Sequence, residues 1–259
     1  MGNLKLCFLG TGTSQGVPVI GCNCEVCSSN DIRDKRLRTS CIITSDQGTQ
    51  ILIDSGPDFR EQMLRHKVSY LDAILITHSH RDHIGGLDDV RSYNYLQSKA
   101  MPIYSNAHTL RELKTTYSYA FQDMKYPGLP AFDLKEINKN QSFSINELEI
   151  IPIEVIHYKL PILGYRIGNI TYITDAKTIS NTEIKKIIGT EILIVNALRE
   201  EEHFSHFTLS EALDLVEIVK PKKAYFIHIS HSMLHSRIQA KLPDNVFLAY
   251  DDLEISSNF

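Results

Sequence analysis

His78-Ser79-His80-Arg81-Asp82-His83 places four imidazole or carboxylate groups within six consecutive residues. Zinc, manganese and iron take such ligands, and sequence does not choose among them. His78 and His80, two apart, could share one ion, while Asp82 and His83 could turn toward a second. The motif follows Ala73-Ile74-Leu75-Ile76, a short, β-branched apolar run that reads as a buried strand. Side chains just past a strand end can converge on one point, as active sites of layered α/β proteins do. A polar turn that happens to hold histidines is the plain alternative, and the clustering of ligand types speaks against it.

Three later residues also terminate strand-like runs. His157 follows Ile153-Glu154-Val155-Ile156, Asp175 follows Tyr172-Ile173-Thr174, and His228 follows Tyr225-Phe226-Ile227. Each could reach the sheet edge that carries His78. Asp54, after Leu52-Ile53, ends another strand and is assigned to accept an N–H from a metal-bound imidazole. An ordinary turn carboxylate is the competing reading.

The five cysteines fall into two groups. Cys7 and Cys41 lie in apolar, strand-like segments and read as inert buried thiols. Cys22, Cys24 and Cys27 form a C-x-C-x2-C cluster, which in a reducing compartment points to metal rather than a disulfide. Three thiolates leave a tetrahedral zinc one ligand short. His231 is the first candidate for the fourth position and His235 the second; three reduced surface thiols are the alternative.

These groups need elements to place them. Leu4 to Leu9 reads as a strand, and Ser40–Thr44 with Gln50–Ile53 as a hairpin around Asp46-Gln47-Gly48. Glu61–Lys67 reads as a helix, as does Gly86 to about Ser98, with Leu87, Val90, Tyr93 and Leu96 on its inner face. Residues 98–140 should hold a strand at Ile103–Tyr104, a helix after His108, and an aromatic segment (Tyr117, Tyr119, Phe121, Tyr126, Pro127-Gly128-Leu129-Pro130). That segment either lies near the site or packs the domain surface. Further strands are expected at Leu148–Ile156, Gly164–Ile167, Ile170–Thr174, Ile192–Asn196 and Ala224–His228, with an amphipathic helix at Leu209–Val219. Two strand-rich halves, each followed by helices, suit two sheets covered by helical layers, with residues 1–259 as a single α/β domain.

Composition narrows the function. The chain has 259 residues and 42% hydrophobic content, enough for a substantial core. A net charge of −4 with no long basic run argues against a nucleic-acid partner. No signal-like or membrane-spanning run is evident, so the cytoplasm is the expected compartment and no membrane partner is expected. Oligomeric state is open, a homodimer included. Gly10-x-Gly12-x3-Gly16 lacks dinucleotide-binding spacing, and Val17-Pro18 follows where a helix would be needed. A loop passing close to the metals suits its small residues better.

H-x-H-x-D-H resembles the signature of the metallo-β-lactamase superfamily, whose fold is a four-layered αββα sandwich. Leu9-Gly10-Thr11-Gly12-Thr13-Ser14-Gln15-Gly16-Val17-Pro18, the cysteines that follow, and Phe226-Ile227-His228-Ile229-Ser230-His231 look like the PhnP-type phosphodiesterase branch. The resemblance covers nearly the whole chain in the same order. It implies that His78, His80 and His157 hold one divalent ion (zinc or manganese), that Asp82, His83 and His228 hold the other, and that Asp175 bridges them. It also implies a structural zinc on Cys22, Cys24, Cys27 and His231. His206 matches a histidine that relatives use to protonate the leaving oxygen or bind the transition state, a role suited to imidazole; His203 is less certain and could cap or pack.

The expected function is hydrolysis of a small cyclic or nucleotide-like phosphodiester by water activated between two metals, with Asp82, Asp175 and His206 catalytic. A tRNA 3′-processing endonuclease, a thioester hydrolase of the same fold and a non-catalytic zinc scaffold are the rivals. Two departures bear on substrate. Tyr158 follows His157 where relatives often have glycine, and Tyr250-Asp251-Asp252-Leu253 replaces Y-D-G-L.

Overall fold

The computed structural model describes residues 2–122 and 128–258. The first sheet contains β1 (Asn3–Gly10), β2 (Ser40–Ser45), β3 (Gln50–Ile53), β4 (Ala73–Leu75), β5 (Met101–Ser105) and β6 (Phe132–Glu136) in that spatial order. The second contains β7 (Phe143–Ile145), β8 (Leu148–His157), β9 (Leu160–Ile167), β10 (Ile170–Tyr172), β11 (Thr178–Ile179), β12 (Ile192–Asn196), β13 (Lys223–Ile227) and β14 (Val246–Leu248). The last strand, β15 (Glu254–Asn258), returns to pair antiparallel with β1.

Alternation along the strands generates the layers. Leu4, Leu6 and Phe8 of β1 face the second sheet, and Cys7 and Leu9 face outward to helices. Ile192 and Ile194 of β12 meet the first sheet, whereas Leu193 and Val195 pack under helices on the far side. A strand apolar on both faces must be covered on both. The outer layer of the first sheet is built from α1 (Phe59–Arg65), α2 (Arg81–Ile84), α3 (Arg91–Gln97) and α4 (Ala107–Thr116). That of the second uses α5 (Asn181–Ile187), α6 (Leu209–Val219) and α7 (His235–Gln239). The result is the expected αββα sandwich with three apolar layers.

Local chemistry sets the helix ends. Thr208 and Glu211 form a reciprocal capping box at the start of α6. Leu209, Ala212, Leu215, Val216 and Val219 form its buried stripe. The predicted helix from Gly86 divides instead into a 3-10 turn at Leu87–Val90 and α3. The change of winding rotates Leu96 off the inner face, so it is exposed while Leu87, Val90 and Tyr93 are buried.

The aromatic segment packs rather than lining the site. The Tyr117 hydroxyl donates to the Ile84 carbonyl at 2.6 Å, and Tyr119 bonds Asp88. Phe121 and Tyr117 both meet Phe132. These rings therefore support α2 from behind; Tyr126 and Pro127 lie outside the described residues. Among the described residues no helix is long and apolar enough to cross a membrane.

The C-terminal ends of β3, β4, β8, β10 and β13 come to a common edge, joined across the sheets by Leu163 N–H to the Thr77 carbonyl at 3.0 Å and Tyr165 O–H to the Ile76 carbonyl at 2.7 Å. Close packing holds the metal-motif loop there. A Cβ on Gly56 would lie 2.1 Å from the Asp82 carbonyl oxygen. Gly56→Ala must therefore displace the start of α2. We expect a loss of about 1–3 kcal/mol, the usual cost of overpacking, read as a lower Tm together with weaker metal binding. An unchanged Tm and metal affinity would contradict this packing.

Candidate metal centre

The strand ends deliver their side chains through an unusual backbone state. Asp54, Asp175 and His228 have φ of 62°, 57° and 56°, the left-handed region that non-glycine residues seldom occupy. Local strain of this kind persists where the surrounding structure fixes it, and it concentrates at functional sites. Asn196, at the end of β12, clamps the peptide after Asp175: its Oδ1 accepts from Ala176 N–H at 2.7 Å and its Nδ2 donates to the Ala176 carbonyl at 3.0 Å.

Two groups of ligand atoms result. His78, His80 and His157 form one, and Asp82, His83, Asp175 and His228 form the other, with the atoms of each group within 4.8 Å of one another. Asp175 reaches both: its Oδ2 lies 3.8 Å from His78 Nε2 and 3.5 Å from His83 Nε2, and its Oδ1 lies 3.1 Å from His228 Nδ1. His80 is the exposed member and marks the open face.

A hydrogen-bonded frame aims the rings. Asp54 is fully buried; its Oδ2 accepts from His83 Nδ1–H at 2.7 Å and from the Thr77 hydroxyl at 2.9 Å, and its Oδ1 accepts from Thr77 N–H at 2.8 Å. With its proton given to Asp54, the Thr77 oxygen accepts from His78 Nδ1–H at 3.0 Å. One carboxylate thus orients an imidazole in each group. His157 Nδ1–H donates to the Ser205 carbonyl at 2.9 Å, which leaves Nε2 as the bare nitrogen. The glycine-rich loop passes beside the site, where Thr13 Oγ1 lies 3.2 Å from His228 Nε2.

The donor set fits divalent metal. His78 Nε2, His83 Nε2 and His228 Nδ1 are buried and have no hydrogen-bond partner. Buried polar atoms are ordinarily paired, so three orphans converging on carboxylates call for a cation. Electrostatics agrees. Burial, followed by the charge of His83, keeps the His78 imidazole well below its usual pKa and therefore a ready ligand. Burial likewise lowers His228 to about 4. Burial opposes charge on Asp82 and Asp175 too, yet the neighbouring histidines prevail and hold both carboxyls below their ordinary range.

His206 stands on the rim of this centre. Its Nε2 is 3.3 Å from Asp175 Oδ2, and its Nδ1 is 2.9 Å from Ser205 Oγ and 3.2 Å from His203 Nδ1. It also groups with His157 and Asp175 as a potential ligand set.

The cysteines meet His231 on another face. Its Nδ1 lies 3.3, 3.5 and 3.6 Å from the Sγ atoms of Cys22, Cys24 and Cys27. The Cys27 amide directed at Cys24 lowers that thiol to about 6, whereas burial raises Cys27 to about 11. His235 does not join them: its Nδ1 is 3.1 Å from Arg36 Nη2 and its amide donates to Asp34 at 2.8 Å. Cys7 and Cys41 are buried and free.

Sequence reasoning did not find Thr77, Thr13, Ser205 or Asn196. Only Thr77, a hydroxyl directly before the first motif histidine, offered a signal. The frame predicts unequal effects. Asp54→Asn should weaken both metals by roughly 10–100-fold, the usual cost of losing a ligand-orienting partner, whereas Thr77→Val should weaken mainly the ion on His78. Metal titration by calorimetry distinguishes them; equal and unaltered affinities in both variants would exclude the frame.

Comparison with known proteins agrees with the geometry. Residues 49–229 match the Beta-lactamase superfamily domain. A solved structure described as a new diphosphatase from the PhnP family is 39% identical, has a TM-score of 0.93 and is matched over 99% of this chain and 98% of that one. An octanoyltransferase of Porphyromonas gingivalis is 40% identical over 97% of this chain, which spans about half (51%) of that relative's length. The fold recurs in human short-form tRNase Z at 17% identity and a TM-score of 0.70, over 97% of this chain and 98% of that one. The chain belongs to the metallo-β-lactamase superfamily and, within it, to the PhnP family.

Proposed function

We propose that the chain is a dinuclear metal-dependent phosphodiesterase acting on small cyclic or nucleotide-like phosphodiesters. The observation that carries this reading is Asp175, shared between two converging ligand groups in a chain so similar to a PhnP-family diphosphatase. His78, His80 and His157 would hold one divalent ion, zinc or manganese, and Asp82, His83 and His228 the other. Such ions supply Lewis acidity and lower the pKa of water toward neutrality.

The protein's own groups supply the rest. The His/Asp frame keeps bare nitrogens directed inward, and Asp82, its Oδ2 3.1 Å from His83 Nε2, adds a carboxylate to the second group. With the Ser205 hydroxyl donating to His206 Nδ1, the His206 proton sits at Nε2, the atom facing the centre. From there it passes to the departing oxygen. A net charge of −4 and the absence of a basic run favour a small substrate over tRNA. Acyl transfer is the name of a relative about twice as long, and no group described here is assigned to it.

The Cys22, Cys24, Cys27 and His231 set would hold a structural zinc, a closed shell of the usual type. Its position ties the N-terminal loop to the segment leaving His228. The Arg237–Glu25 ion pair, with Nη2 donating to both carboxylate oxygens at 2.6 and 2.7 Å, and the His235 N–H to Asp34 bond cross the same seam.

Elemental analysis should find about three metals per chain, two exchanging with chelator faster than the third. Cys24→Ser should remove the slow one and lower Tm. Carefully prepared protein with no zinc and three freely alkylated thiols would exclude that site.

Asp175→Ala should lose metal and nearly all phosphodiesterase activity. His206→Ala should keep both active-site metals and lose roughly 10²–10⁴-fold in rate, with a smaller deficit for p-nitrophenolate as leaving group. Loss of metal in His206→Ala would make it a ligand; equal rate losses for good and poor leaving groups would make it a transition-state binder. Metal-loaded protein that cleaves thioesters or lactams but no phosphodiester would refute the reaction class.

A further inference from the structure

The open face beside His80 leads into a cleft of about 520 Å³, walled by His80, His157, Tyr158, Lys159 and Phe204. Two of these walls belong to the first ligand group, so a molecule reacting at the metals has this cleft for its nearest substituent. Tyr158 and Phe204 are 56% and 69% exposed, although large apolar rings gain most from burial. Their centroids are 5.5 Å apart and their planes stand at 86°, which leaves an L-shaped apolar corner. His203 stacks on Phe204 at 4.6 Å, and Lys159 Nζ lies 5.2 Å from the Tyr158 centroid.

The backbone at this corner is costly. β8 and β9 pair up to His157 and Leu160, so Tyr158-Lys159 is a two-residue hairpin loop. Tyr158 has φ of 56° at the first loop position, where a turn with positive φ ordinarily takes glycine. A bulky residue there is strained, and its ring, touching Phe204 and Lys159, stays more than half exposed. A ligand that uses the ring accounts for it.

We propose that Tyr158 and Phe204 form a nucleobase-stacking corner, so that the substrates of the phosphodiesterase reading are nucleotidyl esters and not sugar phosphates lacking a base. A flat base can stack on one ring with its edge against the other, and Lys159 offers an ammonium beside the base and its phosphate. The inference rests on the reaction class proposed above and adds its specificity. Tyr158 and Phe204 are specificity residues; the chemistry stays with the metal ligands and His206.

The test uses metal-loaded protein and two esters with the same leaving group, thymidine 5′-(p-nitrophenyl phosphate) and methyl p-nitrophenyl phosphate. Wild-type protein should prefer the thymidylyl ester in kcat/KM. Tyr158→Gly and Phe204→Ala should each reduce that preference roughly 5- to 100-fold, the range for loss of one base-stacking contact, chiefly through KM. Tyr158→Gly should also raise Tm, since glycine relieves the left-handed strain. Calorimetric binding of AMP against ribose 5-phosphate to the same proteins separates the two ideas. Selective AMP binding that both variants abolish, without turnover of either ester, upholds the corner and refutes the reaction class. Equal binding of AMP and ribose 5-phosphate, or a preference that neither variant changes, overturns the corner.

Discussion

A fully buried carboxylate is an expensive group, and Asp54 is held by four donated or relayed hydrogen bonds that all lead into the metal centre. Burial raises its pKa, and the His83 ring that donates to it works in the opposite direction. Removing such a charge from water is tolerated when it is paired and hydrogen-bonded throughout. Here the pairing also fixes which nitrogen of His78 and His83 is bare. The two ions would then sit on rings aligned by one residue that touches neither ion. Asp175 bridges the ligand groups at the front, and Asp54 connects two of their histidines from behind.

The sandwich exists to make that arrangement possible. Strands apolar on both faces bury themselves between sheet and helices, which aligns their polar ends on one edge. The left-handed turns fall at Asp54, Asp175 and His228, whose side chains all reach the site. Cross-sheet bonds from Leu163 and Tyr165 to the backbone ahead of His78 lock the two halves in register. His231 follows His228 by three residues and joins the cysteines in a separate ligand group.

Much of this was legible in the chain. The ligand residues stood out because histidine and aspartate directly after β-branched runs are chemically conspicuous, and strands such as Ile192–Asn196 carry unmistakable apolar runs. The positions that support them were not. Thr77, Ser205, Asn196 and Thr13 are ordinary polar residues whose partners lie 20 or more residues away in most cases, so no local pattern marks them. Leu96 was misplaced because a 3-10 turn shifted the helical phase. The strands β6, β7, β11, β14 and β15 passed unnoticed, being short and lying at sheet edges or off the main strand path, where alternation is weak. The aromatic segment had the composition of a binding loop and serves to support α2; the exposed rings at the cleft are Tyr158 and Phe204.

Two ions sharing Asp175, with their histidines aligned from behind by Asp54, is an arrangement open to direct observation. An anomalous-difference map from crystals grown with zinc or manganese addresses it directly. Two peaks are expected roughly 3.5–4 Å apart, the usual two-metal spacing, one on His78, His80 and His157, the other on Asp82, His83 and His228, with Asp175 between them. A single peak, or a pair whose ligands include His206 in place of His157, would contradict it.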